Sequence, residues 1–270
     1  MPGHIKEIYL NDKIIPVREF NLSWIEDGSI MVMIAKRKSG KSWVCRSILK
    51  HLSERGFPGG VVISKTENSS PFYSGFIPDL FIHYNYSNRI LQNVFTRQEK
   101  LIEKKKEKEK KGKTLDPRIY IVMDDCLADA KDWKTAEPIL GIFYNGRHLQ
   151  MTFLLTMQDC LGIKPALRNN TDYTFLLSNN MENEQKRIHS NYGAVIGKFN
   201  VFKEFFTTIT EDHCCLVINN AGSSNDFLDI VFWYKAEHIP DKLLGSHDFI
   251  KFHKKRYDKE WKKKVGGGLF

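Results

Sequence analysis

Residues 29–42 read Ser-Ile-Met-Val-Met-Ile-Ala-Lys-Arg-Lys-Ser-Gly-Lys-Ser, an apolar run followed by a polar loop that ends in Gly-Lys-Ser. The ten residues that follow, 43–52, are compatible with a helix. A strand, a tight loop and a helix in this order place successive backbone N–H groups at a helix N-terminus, where they can surround phosphate oxygens. The pattern therefore predicts a phosphate-binding loop over residues 35–42.

Two side chains of this loop have predicted roles with ATP and Mg²⁺ as cofactors. Lys41 should reach the β- and γ-phosphates, and the Ser42 hydroxyl should bind Mg²⁺. Ala35 stands where the pattern usually has a glycine, so it either adopts a conformation that an L-residue tolerates or costs about 1 kcal/mol. The remaining loop residues are expected to bind the phosphates through their backbone: Lys36, Arg37, Lys38, Ser39 and Gly40.

A second apolar run, residues 119–125, reads Ile-Tyr-Ile-Val-Met-Asp-Asp and ends in two carboxylates. In phosphate-loop NTPases such a strand supplies one carboxylate that holds Mg²⁺ through water and another that orients or deprotonates the attacking water. Asp124 fits the first role and Asp125 the second. Glutamate is more usual at the second position, and capping of a following helix is the alternative role for Asp125.

A third apolar run, residues 151–158, ends in Gln158. A strand inserted after the two carboxylates would place this amide near the γ-phosphate, where it could position water, although Gln158 could also be a simple turn residue. Arg147 and Arg168 each stand near the end of a central strand. Either arginine could serve as an arginine finger for a neighbouring subunit, or form a surface salt bridge instead.

The composition favours a polyanionic partner. The chain of 270 residues has a net charge of +9 and a pI near 9.2, and much of the excess lies in residues 99–113, 251–256 and 262–264. Such runs either contact a nucleic-acid backbone or are solvated surface. The five cysteines have no zinc-type spacing, which favours a reducing, intracellular setting. No apolar stretch approaches the ~20 residues that span a bilayer, and we expect no membrane insertion or secretion.

We expect a three-layer α/β fold with a mostly parallel sheet, formed by one domain over residues 1–250. Two short strands in residues 7–17 should flank the sheet, since residues 1–28 precede the phosphate-loop strand. Residues 61–64 predict a strand parallel to the first, and 80–84 a short strand. Helical spacing extends over residues 88–109 and 132–143. Residues 251–270 are expected to form a basic tail.

The combination of these motifs is more specific than any one of them. Residues 144–148, Tyr-Asn-Gly-Arg-His, are followed closely by Gln158 and then by 167–169, Leu-Arg-Asn. Together with the two nucleotide motifs, this arrangement over residues 31–177 resembles the genome-packaging ATPases of nucleocytoplasmic large DNA viruses, the vaccinia-type branch of the FtsK–HerA superfamily. Ala35 and Asp125 are departures from the usual pattern.

The resemblance implies a ring-shaped homo-oligomer that uses ATP hydrolysis to drive double-stranded DNA into a preformed capsid. It also implies an arginine finger in trans, a capsid or portal-vertex protein as partner, and the virus factory of the host cell cytoplasm, or the virion, as the location. Two alternatives remain at this point: a nucleoside or nucleotide kinase built on the same loop, and a nucleotide-binding assembly module that does not hydrolyse ATP.

Overall fold

A computed structural model describes residues 4–10, 12–126 and 136–260. The described strands are β1 Ile5–Leu10, β2 Lys13–Glu19, β3 Ile30–Ile34, β4 Gly60–Ser64, β5 Ile82–His83, β6 Ile119–Asp124, β7 Met151–Met157, β8 Tyr173–Leu177, β9 Cys214–Asn219 and β10 Val231–Lys235. The described α-helices are α1 Lys41–Glu54, α2 Asn88–Glu109, α3 Glu137–Asn145, α4 Pro165–Arg168, α5 Glu182–Ile188, α6 Phe199–Ile209, α7 Phe227–Ile230 and α8 His247–Arg256.

All ten strands join one sheet in the order β1-β2-β10-β9-β8-β3-β7-β6-β4-β5. The six strands from β8 to β5 run parallel, whereas β9 is antiparallel to both of its neighbours and β1 is antiparallel to β2. The strand β7 lies between the phosphate-loop strand β3 and the carboxylate strand β6. This confirms the inserted strand that the sequence predicts.

The period-2 alternation of β3 divides its side chains between two hydrophobic clusters. Ile30, Val32 and Ile34 pack into the cluster that includes the buried faces of α2, α3 and α6, whereas Met31 and Met33 pack with α1 on the other face. Because β3 is buried on both faces, it is apolar throughout, as expected for a central parallel strand. The predicted three-layer fold is confirmed.

Several predicted elements differ in detail. The strand β4 runs in the same direction as β3, but β6 and β7 lie between them, so the two are not neighbours. The strand predicted over 80–84 shrinks to the two residues of β5, because a 3₁₀ turn occupies Asp79–Phe81. The start of the helix predicted over 132–143 lies outside the described residues, and α3 begins at Glu137.

The C-terminal basic run is partly helical. Residues 251–256 belong to α8, which packs on the domain through a Phe81–Phe249 ring stack with centroids 3.9 Å apart. The basic run 262–264 lies outside the described residues. None of the helices in the described ranges is both long and apolar enough to cross a membrane.

Candidate nucleotide site

The predicted nucleotide-binding residues meet at the carboxyl edge of the parallel sheet. The strands β3, β7 and β6 are parallel neighbours, so the loop after Ile34, the amide after Met157 and the carboxylates at the end of β6 emerge side by side. Ligands of open parallel sheets bind outside this edge. The sheet order therefore brings together motifs that are more than 100 residues apart in the chain.

The phosphate-binding loop adopts the turn that its sequence predicts. Gly40 has φ 98° and Lys38 has φ 63°, and the Ser39 hydroxyl donates to the Lys36 carbonyl at 2.7 Å. The Ala35 N–H donates to the Met157 carbonyl at 3.0 Å, and its φ is not positive. Ala35 thus continues the β3–β7 ladder in a conformation that any L-residue tolerates, which settles the alternative left open by the sequence.

The Lys41 ammonium lies between the two carboxylates of β6. Its Nζ is 3.1 Å from Asp124 Oδ1 and 2.5 Å from Asp125 Oδ2. Burial alone would lower the pKa of Lys41, but the two carboxylates outweigh burial and raise that pKa above its ordinary value. The loop lysine and both predicted carboxylates therefore form one charge cluster, in which Lys41 and Asp124 are buried and Asp125 is partly exposed.

Two hydroxyl groups that sequence reasoning missed hold Asp124 in place. The Thr156 hydroxyl donates to Asp124 Oδ1 at 2.5 Å and accepts from the Asp125 N–H at 3.2 Å. The Ser64 hydroxyl donates to Asp124 Oδ2 at 3.4 Å. Both side chains are buried at the ends of apolar strands. The sequence does contain a signal for these two residues, namely a hydroxyl group near the end of an apolar strand. A buried hydroxyl needs a hydrogen-bond partner, so such a residue is expected to bind a polar group at that edge.

Asp125 and Gln158 are direct neighbours. The Gln158 amide donates to Asp125 Oδ2 at 3.2 Å, and Asp125 is in the left-handed region with φ 51°. This conformation is uncommon for a residue with a side chain, and such residues are concentrated at functional sites. It turns the Asp125 carboxylate back toward Lys41 and Gln158, which brings the two residues predicted to position water within hydrogen-bond distance of each other.

The buried carboxylate of Glu67 holds the backbone of residues 72–74 through hydrogen bonds. Glu67 accepts from the backbone N–H groups of Phe72 and Tyr73 at 2.9 Å and of Ser74 at 2.8 Å. Burial, with a contribution from the negative charge of Asp124, raises the pKa of Tyr73 well above its ordinary value. The neutral phenol of Tyr73 therefore lies near the metal-binding candidate Asp124, on a segment that Glu67 holds fixed.

Two residues beyond the predicted motifs contact the phosphate-binding loop. The Lys36 ammonium donates to the Asn180 side chain at 2.8 Å. His213 lies against Gly40, where an added Cβ would be 3.6 Å from both Cβ and Nδ1 of the histidine. Asp212 and His213 are both left-handed, with φ 52° and 61°. The sequence contains no motif for either contact, since both depend on sheet order, in which β8 lies beside β3 and β9 lies beside β8.

The two candidate arginines do not lie beside the phosphate-binding loop. Arg147 is at the opposite, amino edge of the sheet and donates to Asp172 at 2.7 Å, and Asp172 also accepts from the Ile30 N–H at the start of β3. Arg168 ends α4, donates to the Ile163 carbonyl at 2.9 Å and lies over the Tyr192 ring. A role for either arginine in a neighbouring subunit stays a prediction.

The oxygen-rich end of β6 has the donor chemistry that Mg²⁺ prefers. Asp124, Asp125 and the Ser42 hydroxyl supply hard oxygen atoms, and Mg²⁺ is usually held by one or two carboxylates together with phosphates and water. Within the described ranges there is no group of three or more His, Cys, Asp or Glu residues that could bind a metal by themselves. Such a site fits a metal that is shared with a nucleotide.

Comparison with known proteins places this site in a family. The profile of the Poxvirus A32 protein family matches residues 19–228, which include the whole candidate site. The chain belongs to the poxvirus A32 family. It is also 40% identical over 252 residues to protein L437 of Acanthamoeba polyphaga mimivirus, covering 93% of this chain and 88% of that protein. The family predicted from the combined motifs is thereby confirmed.

Solved structures share the fold of this A32-family chain. The genome packaging NTPase B204 from Sulfolobus turreted icosahedral virus 2, in complex with AMPPCP, matches with a TM-score of 0.52 at 14% identity, covering 78% of this chain and 99% of B204. ATPases 2 and 3 of EssC from Geobacillus thermodenitrificans match with a TM-score of 0.55 at 13% identity, covering 94% of this chain and 47% of EssC. Both likenesses concern the fold.

Proposed function

We propose that this chain is a viral genome-packaging ATPase that couples ATP hydrolysis to the translocation of double-stranded DNA into a preformed capsid. The observation that carries the proposal is the cluster of Lys41, Asp124, Asp125 and Gln158 at the carboxyl edge of the sheet. Membership of the poxvirus A32 family and the fold shared with a genome-packaging NTPase support it.

Each residue of the cluster has a proposed task. The loop N–H groups and Lys41 bind the phosphates of ATP, and Asp124 with Ser42 would hold Mg²⁺, which neutralises charge on the phosphates when bound. Asp125 accepts a proton from the attacking water, and the Gln158 amide orients that water. Thr156 and Ser64 keep Asp124 in one orientation.

Completion of the site requires a neighbouring subunit. The two arginines that we consider as fingers, Arg147 and Arg168, lie away from the phosphate-binding loop of their own chain. In a ring, one of them would reach the site of the adjacent subunit and stabilise the charge that develops on the γ-phosphate. Cycling of this contact with ATP hydrolysis would couple the site to movement along DNA and, through a capsid or portal-vertex protein, to filling of the capsid.

The test is ATP turnover by the purified oligomer with and without duplex DNA. We expect DNA to stimulate turnover, and we expect Asp125→Asn to lose turnover but retain ATP binding. Asp116→Asn is a matched control, because Asp116 is at the amino edge of the sheet and pairs with Arg118. Turnover that is indifferent to DNA, or equal loss in the two variants, would contradict the proposal.

The same assay separates the alternatives. A kinase would transfer the γ-phosphate to a nucleoside monophosphate, whereas a packaging ATPase releases it to water. An assembly module that does not hydrolyse ATP would bind ATP through Lys41 but show no turnover, so the wild type and Asp125→Asn would behave alike in this assay. Family membership favours the packaging ATPase over both.

A further inference from the structure

The lysine-rich end of α2 projects beyond the sheet. Gln98 is fully buried, and its amide donates at 2.8 Å to the carbonyls of Pro117 and Leu149, which lie two residues before the starts of β6 and β7. Gln98 therefore marks the level of the amino edge. The helix continues for eleven residues beyond it, to Glu109, which corresponds to about 16 Å. The charged run 99–113 thus lies at and beyond the edge opposite the phosphate-binding loop.

The second basic run lies at the same edge. The Gly245 N–H donates to Ser53 near the end of α1, twelve residues from Lys41, and the Ser246 N–H donates to the Pro58 carbonyl just before β4. These bonds anchor the start of α8. The Phe249 ring then covers Gly59, where an added Cβ would be 2.5 Å from the ring. The helix α8 is therefore fixed beside the amino ends of β4 and β5.

The helices α2 and α8 flank one cavity. It has a volume of about 510 Å³, and its walls include Asn93 and Arg97 from α2 and Asp248 and Phe252 from α8. On α2 the lysine run begins within one or two helical turns of the cavity-lining residues, and the same is true of the basic residues of α8. Two runs that are about 140 residues apart in sequence therefore become neighbours at the β4–β5 side of the amino edge.

Most of the excess positive charge of the chain lies in the run 99–113 and in α8. Residues 99–113 contain eight lysines and four glutamates, and α8 contains three lysines and one arginine against one aspartate. Their surpluses of four and three account for seven of the nine net positive charges. The exposed members of both runs include Lys106, Lys110, Lys111, Lys251, Lys254 and Lys255.

We propose that the projecting end of α2 and the basic face of α8 form one surface that binds the phosphate backbone of double-stranded DNA. This inference rests on the proposed packaging function and names the surface of the chain that holds the DNA. Exposed lysines on two helix ends recognise regularly spaced phosphates without reading bases, so binding is strongly salt-dependent and little affected by sequence. The surface lies opposite the nucleotide edge, so ATP and DNA do not compete for residues.

The experiment measures binding of the full-length chain to a fluorescent duplex by anisotropy over a series of salt concentrations. One triple variant carries Lys106, Lys110 and Lys111→Gln, and a second carries Lys251, Lys254 and Lys255→Gln. We expect each to weaken binding on the order of tenfold to a hundredfold near 0.1 M salt and to reduce the slope of log affinity against log salt by up to about 2.7. Arginine at the same positions should preserve both the affinity for the duplex and the salt slope, because arginine also binds phosphate.

A third triple variant, Lys13, Lys198 and Lys235→Gln, is the matched control. It removes the same charge from exposed lysines on β2, the start of α6 and the end of β10, and it should bind within about twofold of the wild type. Equal weakening in all three variants would overturn the proposal, since net charge alone would then govern binding. Unchanged binding by either test variant would also overturn it. A wild-type chain that binds no duplex at any salt concentration would instead defeat the packaging function itself.

Discussion

Replacement of Lys41 by methionine should destabilise the chain in a way that depends on pH. The substitution keeps the length of the side chain but removes the charge between Asp124 and Asp125. Loss of one partner from a buried ion pair costs about 3–5 kcal/mol, because a buried charge is left uncompensated. The side chain of Asp125 is 20% exposed and can be partly solvated, so we expect about 3 kcal/mol near neutral pH.

The same helix offers a control. Lys50 pairs with Glu54 at 2.5 Å, but the two side chains are 39% and 59% exposed, so Lys50→Met should lower the free energy of unfolding by less than about 1 kcal/mol. The two variants carry the same substitution, lysine to methionine, on the same helix α1. The free energy of unfolding is measured by urea titration with circular dichroism, without nucleotide. A loss for Lys41→Met that is no larger than the loss for Lys50→Met would refute the charge cluster.

The pH dependence provides a second signature. In the wild type, the raised pKa of Lys41 means that its contribution to stability is complete below its ordinary pKa of 10.5 and is lost as pH rises through the raised value. This contribution is therefore constant between about pH 5 and 8. The difference in the free energy of unfolding between the wild type and Lys41→Met should therefore shrink as pH rises above about 10.5. A difference that does not shrink over that alkaline range would contradict the charge pairing of Lys41.

Substitutions at three other positions test single contacts of the site. Thr156→Val should lower the free energy of unfolding in urea by about 2 kcal/mol and should also lower ATP turnover, because Asp124 loses its 2.5 Å hydrogen bond. Thr156→Ser keeps the hydroxyl and should retain turnover. Ala35→Gly should reduce stability by about 0.5–1 kcal/mol and leave turnover no faster, since Ala35 is unstrained; a clear gain in turnover would contradict this. Glu67→Gln should lower the free energy of unfolding, measured by thermal denaturation, by about 1.5–3 kcal/mol, because it weakens three backbone hydrogen bonds. The exposed control Glu54→Gln should lower it only slightly. Equal losses in the two variants would count against the role of Glu67.

The core of the site was predictable because it depends on local sequence and strand direction. The loop over residues 35–42, the carboxylates after an apolar strand and the Gln158 amide all follow from short patterns whose geometry is fixed by parallel strands that end at one edge. Helix α2 was predicted with its observed bounds, 88–109, because its apolar residues recur with helical spacing.

Other features could not be predicted because they depend on sheet order. The pairing of β7 with β6 brings Thr156 to Asp124, and the pairing of β8 with β3 brings Asn180 to Lys36. The partners in these contacts are separated by 32 and 144 residues in the chain. The position of Arg147 at the amino edge follows from the direction of β7, which its local sequence does not reveal. The convergence of α2 and α8 likewise requires the packing of Phe249 on Gly59.

ATP hydrolysis at the Lys41–Asp125 cluster should move the protein along double-stranded DNA. The decisive measurement is displacement of a third strand from a DNA triplex, because a translocating motor must strip that strand from the duplex. We expect the wild-type oligomer to release the third strand with ATP and not with the non-hydrolysable AMPPCP, and we expect Asp125→Asn to bind the duplex without releasing the strand. Release that is as fast with AMPPCP, or that persists in Asp125→Asn, would contradict the account.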